Sequence, residues 1–237
     1  MDELQREIEI RGNRIAFLLR RSGRARQIRA EIHLHRGLRV TLPHGMEEHE
    51  ALAFLHSRGT WILRTLRRFE RLASVIPERA LTDGARLPYL GRELTLRVSR
   101  GPVDVALTSD VLWVQVPVRR EGTVRRALQS WYFRQACAVF EERASALAAR
   151  IGIRPVRIRV REMKSRWGSC TRAGVLTFNW CLILAPLGVV DYLIAHELAH
   201  LKVPNHSPAF WTACEEIYPG YQVARRWLRR FGASLVI

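Results

Sequence analysis

The chain reads as an α+β protein, on three observations. Its first part alternates apolar and polar residues with the period of two that strands require, then changes to helical spacing. Its middle holds further short strands and one long helical run. Its last third carries "HELAHLKVPNH", residues 196–206, in a helix surrounded by apolar residues. The expected organisation is an N-terminal β-rich and helical region over residues 1–120, followed by a C-terminal domain over residues 121–237. In the second, the histidine-bearing helix packs beside antiparallel strands.

β-structure is expected over residues 13–42. Ile28, Ala30, Ile32 and Leu34 alternate with polar residues, His35-Arg36-Gly37 turns the chain, and Leu38, Val40 and Leu42 alternate again. That pattern is a hairpin, closed by Pro43. From Glu47 to about Leu72 the apolar residues Leu52, Leu55, Ile62, Leu66 and Phe69 keep a helical period, with a break expected at Arg58-Gly59. Pro77 to Pro88 reads as a linker with an Asp83-Gly84 turn. Short strands are expected around 93–98, 103–107 and 111–116. A long helix then runs from Thr123 to Arg150, through Leu128, Trp131, Ala136, Phe140 and Leu147, and ends before Gly152 and Pro155.

Val156, Ile158 and Val160 alternate with Arg157, Arg159 and Arg161, which predicts a half-exposed strand. A loop from Met163 to Ser169 holds Arg166-Trp167-Gly168. A second strand follows at Leu176, Phe178 and Trp180. Pro186 stops that strand and opens a helix from about Leu187 to Val203, which Pro204 ends. Ser207-Pro208 then starts a helix over roughly 208–217, and a last helix occupies about 221–231. The sequence contains no evident internal repeat.

Composition narrows the class. Of the 237 residues 48% are hydrophobic, enough for a packed core and too many for global disorder. The start, MDELQREIEI, lacks the apolar segment of a secretory signal. The longest mostly apolar stretch, Cys181 to Val190, is interrupted by Pro186 and is far short of the ~20 residues that span a bilayer. A cytoplasmic protein without membrane contact is expected. Cys137, Cys170, Cys181 and Cys214 show no CxxC spacing, so reduced and mostly buried thiols are expected. Net charge is +17, and lysine occurs only at 164 and 202. Arginine suits phosphate and nucleic acid. These arginines are spread along the whole chain, however, so the reading adopted is a coding preference for arginine, with nucleic acid not the favoured partner.

The chemistry concentrates at residues 196–206. On a helix His196 and His200 stand on one face, one turn apart, and can ligate one metal ion without bending the backbone. Glu197 can reach a water on that metal without being a ligand. This is the HExxH logic of a zinc hydrolase, two histidines on zinc and the glutamate as general base. Leu193, Ile194, Ala195, Leu198, Ala199 and Leu201 surround the motif, so the helix is mostly buried. Buried His and Glu side chains without a partner are costly, and a metal removes that cost. A catalytic zinc usually takes three protein ligands. His206 is the reading adopted for the third, because Pro204 ends the helix and lets the chain turn back. Glu215 and Glu216 are its rivals. The HExxHxxxxxH spacing equals that of the metzincins, but Val203 stands where their motif has glycine.

Several motifs occur in order: "KSRWGSC", "LTFNWCLILAP", "VDYLIAHELAHL" and "NHSPAFW" between residues 164 and 211, with "RRSGRARQIRAEI", "LRVTLPHG" and "FLHSRGTWI" nearer the N-terminus. Together they resemble the YgjP-like metallopeptidase domain family, a zincin or minigluzincin type related to SprT-like proteins. The resemblance implies a zincin-like domain with Zn2+ held by His196, His200 and His206, and Glu197 as the catalytic base. It also implies a strand around Leu176 to Trp180 beside the metal helix, able to pair with an extended substrate. The expected activity is zinc-dependent cleavage of a peptide or protein substrate. Two alternatives stand beside it: a metal-dependent nucleoside triphosphate phosphohydrolase, and a nucleic-acid-associated zinc protein.

Other side chains carry weaker signals. Lys164 and Arg166 read as solvated loop charges, with contact to a substrate anion as the functional alternative. Tyr218 and Tyr221 read as packing residues, with an oxyanion role as the alternative. Trp167, Trp180 and Trp211 read as core, or as pocket walls. His33 and His35 read as surface residues.

Overall fold

A computed structural model describes residues 3–33, 37–74, 80–163 and 166–237. The fold is α+β, as expected, and the chain divides into two compact units, residues 1–78 and 79–237. The boundary expected at 120/121 falls inside the second unit. The reason is packing: the strands before residue 120 share one apolar core with the helices after it.

In the first unit, β1 (Glu3–Ile10), β2 (Asn13–Ser22), β3 (Arg29–His33) and β4 (Gly37–Pro43) form a sheet of order β1-β2-β4-β3. The strand β1 was not anticipated, because glutamates alternating with Leu4, Ile8 and Ile10 give it a charged composition. It pairs antiparallel with β2 across Arg11-Gly12, both at positive φ (50° and 76°), the two-residue turn that matches strand twist. The strands β3 and β4 form the expected antiparallel pair, although its turn residues 34–36 lie outside the described residues. The β2–β4 pairing is parallel. Ile8, Ile10, Ile15, Phe17, Leu19, Leu38, Val40 and Leu42 pack with Ala51, Leu55 and Ile62 of α1 (Glu48–Ser57) and α2 (Gly59–Ala73). The expected break between these helices is observed at Arg58. A β-carbon on Gly59 would stand 2.6 Å from Cγ2 of Ile10, so only glycine lets α2 start this close to the sheet.

The second unit opens with the same topology. The strands β5 (Arg86–Tyr89), β6 (Arg92–Arg100), β7 (Asp104–Thr108) and β8 (Val111–Val116) form a sheet of order β5-β6-β8-β7. Again the first hairpin turns on two residues at positive φ, Leu90 (51°) and Gly91 (87°). The β6–β8 pairing is parallel and β7–β8 antiparallel. The chain thus builds one four-stranded arrangement twice. Alternation and turn conformation specify such a sheet, and many sequences satisfy both. The strand β5 occupies the end of the segment read as a linker.

The 30-residue helix α3 (Glu121–Arg150) joins this sheet to the rest of the unit. Its buried Val124, Leu128, Trp131 and Tyr132 share a core with Leu94, Leu96, Leu112 and Val114 of the sheet. The Tyr132 hydroxyl donates to the Pro88 carbonyl at 2.9 Å. Farther along, Phe140 stacks on Phe178 with ring centroids 4.7 Å apart. Phe178 belongs to a three-stranded sheet of β9 (Arg157–Arg161), β10 (Gly168–Cys170) and β11 (Val175–Asn179), ordered β10-β11-β9. The pair β10–β11 is antiparallel and β11–β9 parallel, so this sheet is mixed rather than wholly antiparallel. A 3-10 turn, Trp180–Leu184, leads into α4 (Leu187–Lys202), then α5 (Pro208–Ile217) and α6 (Tyr221–Phe231).

The helix α4 is buried nearly all round, through Val189, Val190, Tyr192, Leu193, Ile194, Ala195, Leu198 and Ala199. Asp191, in its first turns, receives a two-pronged pair from Arg143 of α3 at 2.5 and 2.7 Å. Among the described residues no helix is long and apolar enough to cross a membrane. Cys214 is buried and Cys170 and Cys181 are half-buried, but Cys137 is exposed, contrary to the expectation for that thiol.

Candidate metal centre

Helix periodicity places the first two histidines. The rings of His196 and His200, four residues apart on α4, lie with centroids 5.0 Å apart. The helix ends at Lys202, and Val203, Pro204 and Asn205 carry the chain back toward its own last turn. This brings Nε2 of His206 to 3.1 Å from Nε2 of His196. One nitrogen from each of His196, His200 and His206 lies within 4.8 Å of the other two. The rivals stand elsewhere. Glu215 accepts the Gly220 backbone N–H at 3.0 Å, and Glu216 is exposed.

The rings are held from behind. Nδ1 of His200 lies 3.2 Å from the Val203 carbonyl, and donating that proton leaves Nε2 as the free lone pair. Phe210 of α5 packs on His196, His200 and His206 at 4.8, 4.4 and 4.8 Å. Pro208 in the first turn of α5 starts the helix that presents Phe210 and Trp211 to the site.

Burial favours the neutral form of His196 and His200, the form that can ligate a metal. It lowers the His196 pKa to about 3, helped by the neighbouring His200, His206 and Arg225. The pKa of His200 is lowered by the same cause. Glu197 is 3% exposed, and burial raises its carboxyl to about 8, opposed by the charge of Arg166. Its Oε2 is buried and has no hydrogen-bond partner among the described residues. Three converging imidazoles beside a buried carboxyl group are a donor set that fits a divalent cation such as zinc.

The strand next to α4 is β10, not the expected Leu176–Trp180 segment. The latter, β11, is flanked on both sides by β10 and β9 and has no open edge. Gly168 of β10 faces Glu197 so closely that a β-carbon there would stand 2.9 Å from the glutamate Cδ. Asn179 sets this loop. Its backbone N–H donates to the Trp167 carbonyl at 2.8 Å, and its buried side chain donates to the Met163 carbonyl at 2.8 Å.

Of the other sequence candidates, Arg166 is exposed and acts on Glu197 through charge, while Lys164 and His35 lie outside the described residues. Trp180 is core. Trp167 and Trp211 line a cavity beside His196 and His206. Tyr221 is buried and stacks on Tyr192 and Trp211, at 6.1 and 5.3 Å. Sequence reasoning missed Gly168, Tyr192 and Arg225. The last could have been found from its place one turn after Tyr221 on an amphipathic helix.

The match to a known family gives the chain its class, that of the metallopeptidases. The chain belongs to the YgjP-like metallopeptidase domain family, whose profile matches residues 26–231. Two solved structures are similar over part of the chain. One is the metallopeptidase zymogen abylysin of Pyrococcus abyssi, with 26% identity, 39% of this chain and 94% of that chain covered, and a TM-score of 0.35. The other is the zymogen jannalysin of Methanocaldococcus jannaschii, with 19% identity, coverage of 41% and 97%, and a TM-score of 0.35. No curated protein sequence matches.

Proposed function

We propose that this protein is a zinc-dependent peptidase in which His196, His200 and His206 hold the metal and Glu197 is the general base. The observation that carries the reading is the convergence of the three imidazoles beside a buried glutamate whose Oε2 has no hydrogen-bond partner among the described residues. A zinc ion held there would supply a water of lowered pKa and a Lewis acid for the scissile carbonyl.

The remaining work falls to the chain's own groups. The Glu197 carboxylate takes the proton of the attacking water and passes it to the departing amine, so it ends the cycle as it began. Among the described residues β10 ends its sheet, and its outer edge offers backbone groups to an extended peptide, which would add to the sheet as a further strand. His200 keeps its orientation through the Val203 carbonyl, so the ligand set does not have to reorganise between turnovers.

The test combines metal content with turnover. The purified protein should carry about one zinc per chain. Glu197→Gln should keep that zinc and lose turnover of a peptide substrate by ~10²–10⁴. Normal turnover in a zinc-loaded Glu197→Gln protein would remove Glu197 from the chemistry.

A further inference from the structure

Beside the histidine cluster lies a cavity of about 530 Å³ whose lining adds aromatic and cationic side chains to two of the three histidines. Trp167, Tyr192 and Trp211 form aromatic walls, His196 and His206 form one end, and Arg225 and Arg229 of α6 bring positive charge to it. Tyr221, Arg225, Leu228 and Arg229 share one face of α6 by their spacing. The Arg225 guanidinium sits 4.0 Å over the Trp211 ring, which itself lies 5.7 Å from the ring of His206. One stack therefore links the cation to the metal-binding edge.

Arg225 is half-buried, yet among the described residues no carboxylate pairs with it. The sequence of α6, YQVARRWLRRF, contains no acidic residue, and Glu215 is turned to the Gly220 N–H. A half-buried guanidinium that lies over an aromatic face and pairs with no carboxylate among the described residues keeps its fork of N–H donors available to a ligand. The planar fork matches a carboxylate in two-pronged geometry. Among the described residues no glycine lines the cavity, so it does not have the glycine-rich lining on which phosphate groups commonly sit. Aromatic walls ending in a cation suit a short apolar stem that carries a single carboxylate.

We propose that this cavity is a subsite for a carboxylate of the substrate, with Arg225 as its charged partner. The carboxylate is either that of an acidic side chain near the scissile bond or the substrate's own C-terminus. The proposal deepens the peptidase reading and rests on it for the identity of the substrate, but the recognition itself can be measured without turnover.

The experiment measures binding to zinc-loaded Glu197→Gln protein, by calorimetry, with arginine, lysine or glutamine at position 225. The probes are acetyl-Ala-Glu-Ala-amide, acetyl-Ala-Gln-Ala-amide, acetyl-Ala-Gln-Ala with a free C-terminus, and inorganic triphosphate. With Arg225 present, one or both carboxylate-bearing peptides should bind about 10-fold or more tighter than the neutral amide. Arg225→Gln should abolish the preference, and Arg225→Lys should restore part of it. The Glu peptide and the free C-terminus separate the two sources of the carboxylate. Equal binding of all three peptides would overturn the proposal. So would tighter binding of triphosphate with Arg225→Gln weakening that ligand alone, which would mark a phosphate site. If the carboxylate preference is found while the protein with Glu197 intact cleaves no peptide, the subsite stands and the peptidase reading fails.

Discussion

Gly168 and Glu197 are pressed together: a β-carbon at 168 would stand 2.9 Å from both Cγ and Cδ of the glutamate. Real β-carbon contacts at that separation are repulsive, and the neighbour is a buried side chain on a buried helix. Gly168→Ala therefore has to move the carboxylate. With the three histidines untouched, zinc content should stay near one per chain while turnover falls by about 10²-fold, the scale of general-base catalysis. A Gly168→Ala protein with wild-type turnover would show that Glu197 tolerates displacement.

The ligand assignment predicts a contrast between neighbouring elements. His196→Ala, His200→Ala and His206→Ala should each lose most of the bound zinc, because each removes one of three donors. Glu215→Ala and Glu216→Ala should retain it, since Glu215 serves the Gly220 N–H and Glu216 faces solvent. Metal analysis after dialysis reads the difference directly. Zinc loss in a glutamate variant with retention in His206→Ala would reverse the assignment.

Metal-free protein should show a pH signature of the buried carboxyl. The Glu197 pKa is about 8 in the fold against 4.5 as its ordinary value, so between those limits the native state holds an extra proton and stability falls as pH rises. His196, at about 3 against 6.5, works the other way: the unfolded state binds more protons between those values, so stability rises with pH up to about 6.5. Glu197→Gln removes only the first effect. Metal-free Glu197→Gln should gain on the metal-free parent as pH goes from 5 to 8, by a Tm difference on the order of 5 °C at pH 8. A pH-independent difference between the two melting curves would contradict this.

The arginines yield a prediction about partners. The net charge of +17 guarantees some attraction to polyanions. If the arginines serve mainly as a solvated surface, duplex DNA should bind no tighter than ~10⁻⁶ M at physiological salt. Tight binding with a steep salt slope would favour the nucleic-acid reading instead.

The grouping of the three histidines was legible in the linear order of residues. The spacing of His196 and His200 requires only that the segment be helical, and the apolar residues around them require that helix to be buried. Pro204 and the short distance to His206 imply a return of the chain. The Arg58-Gly59 break and the hairpin after Ile28 were equally readable, since each rests on periodicity or on one turn residue. The strand β1 escaped because its glutamates dominate its composition, and β5 because it follows a stretch rich in turn residues.

The sequence by itself determined that this is an α+β chain carrying a histidine motif on a buried helix. Those properties follow from rotations per residue and from burial, which act within a few positions of one another. Only the tertiary structure decided that β10 rather than β11 lies beside that helix, that Gly168 abuts Glu197, and that Arg225 reaches the cavity next to His206. Gly168 and Glu197 are far apart in sequence, and their contact depends on strand order and helix docking. Strand order is set by which edges remain free once the neighbours have paired. Helix docking is set by how α3, α5 and α6 share one core around α4. Both are collective outcomes of packing, and no local spacing encodes them.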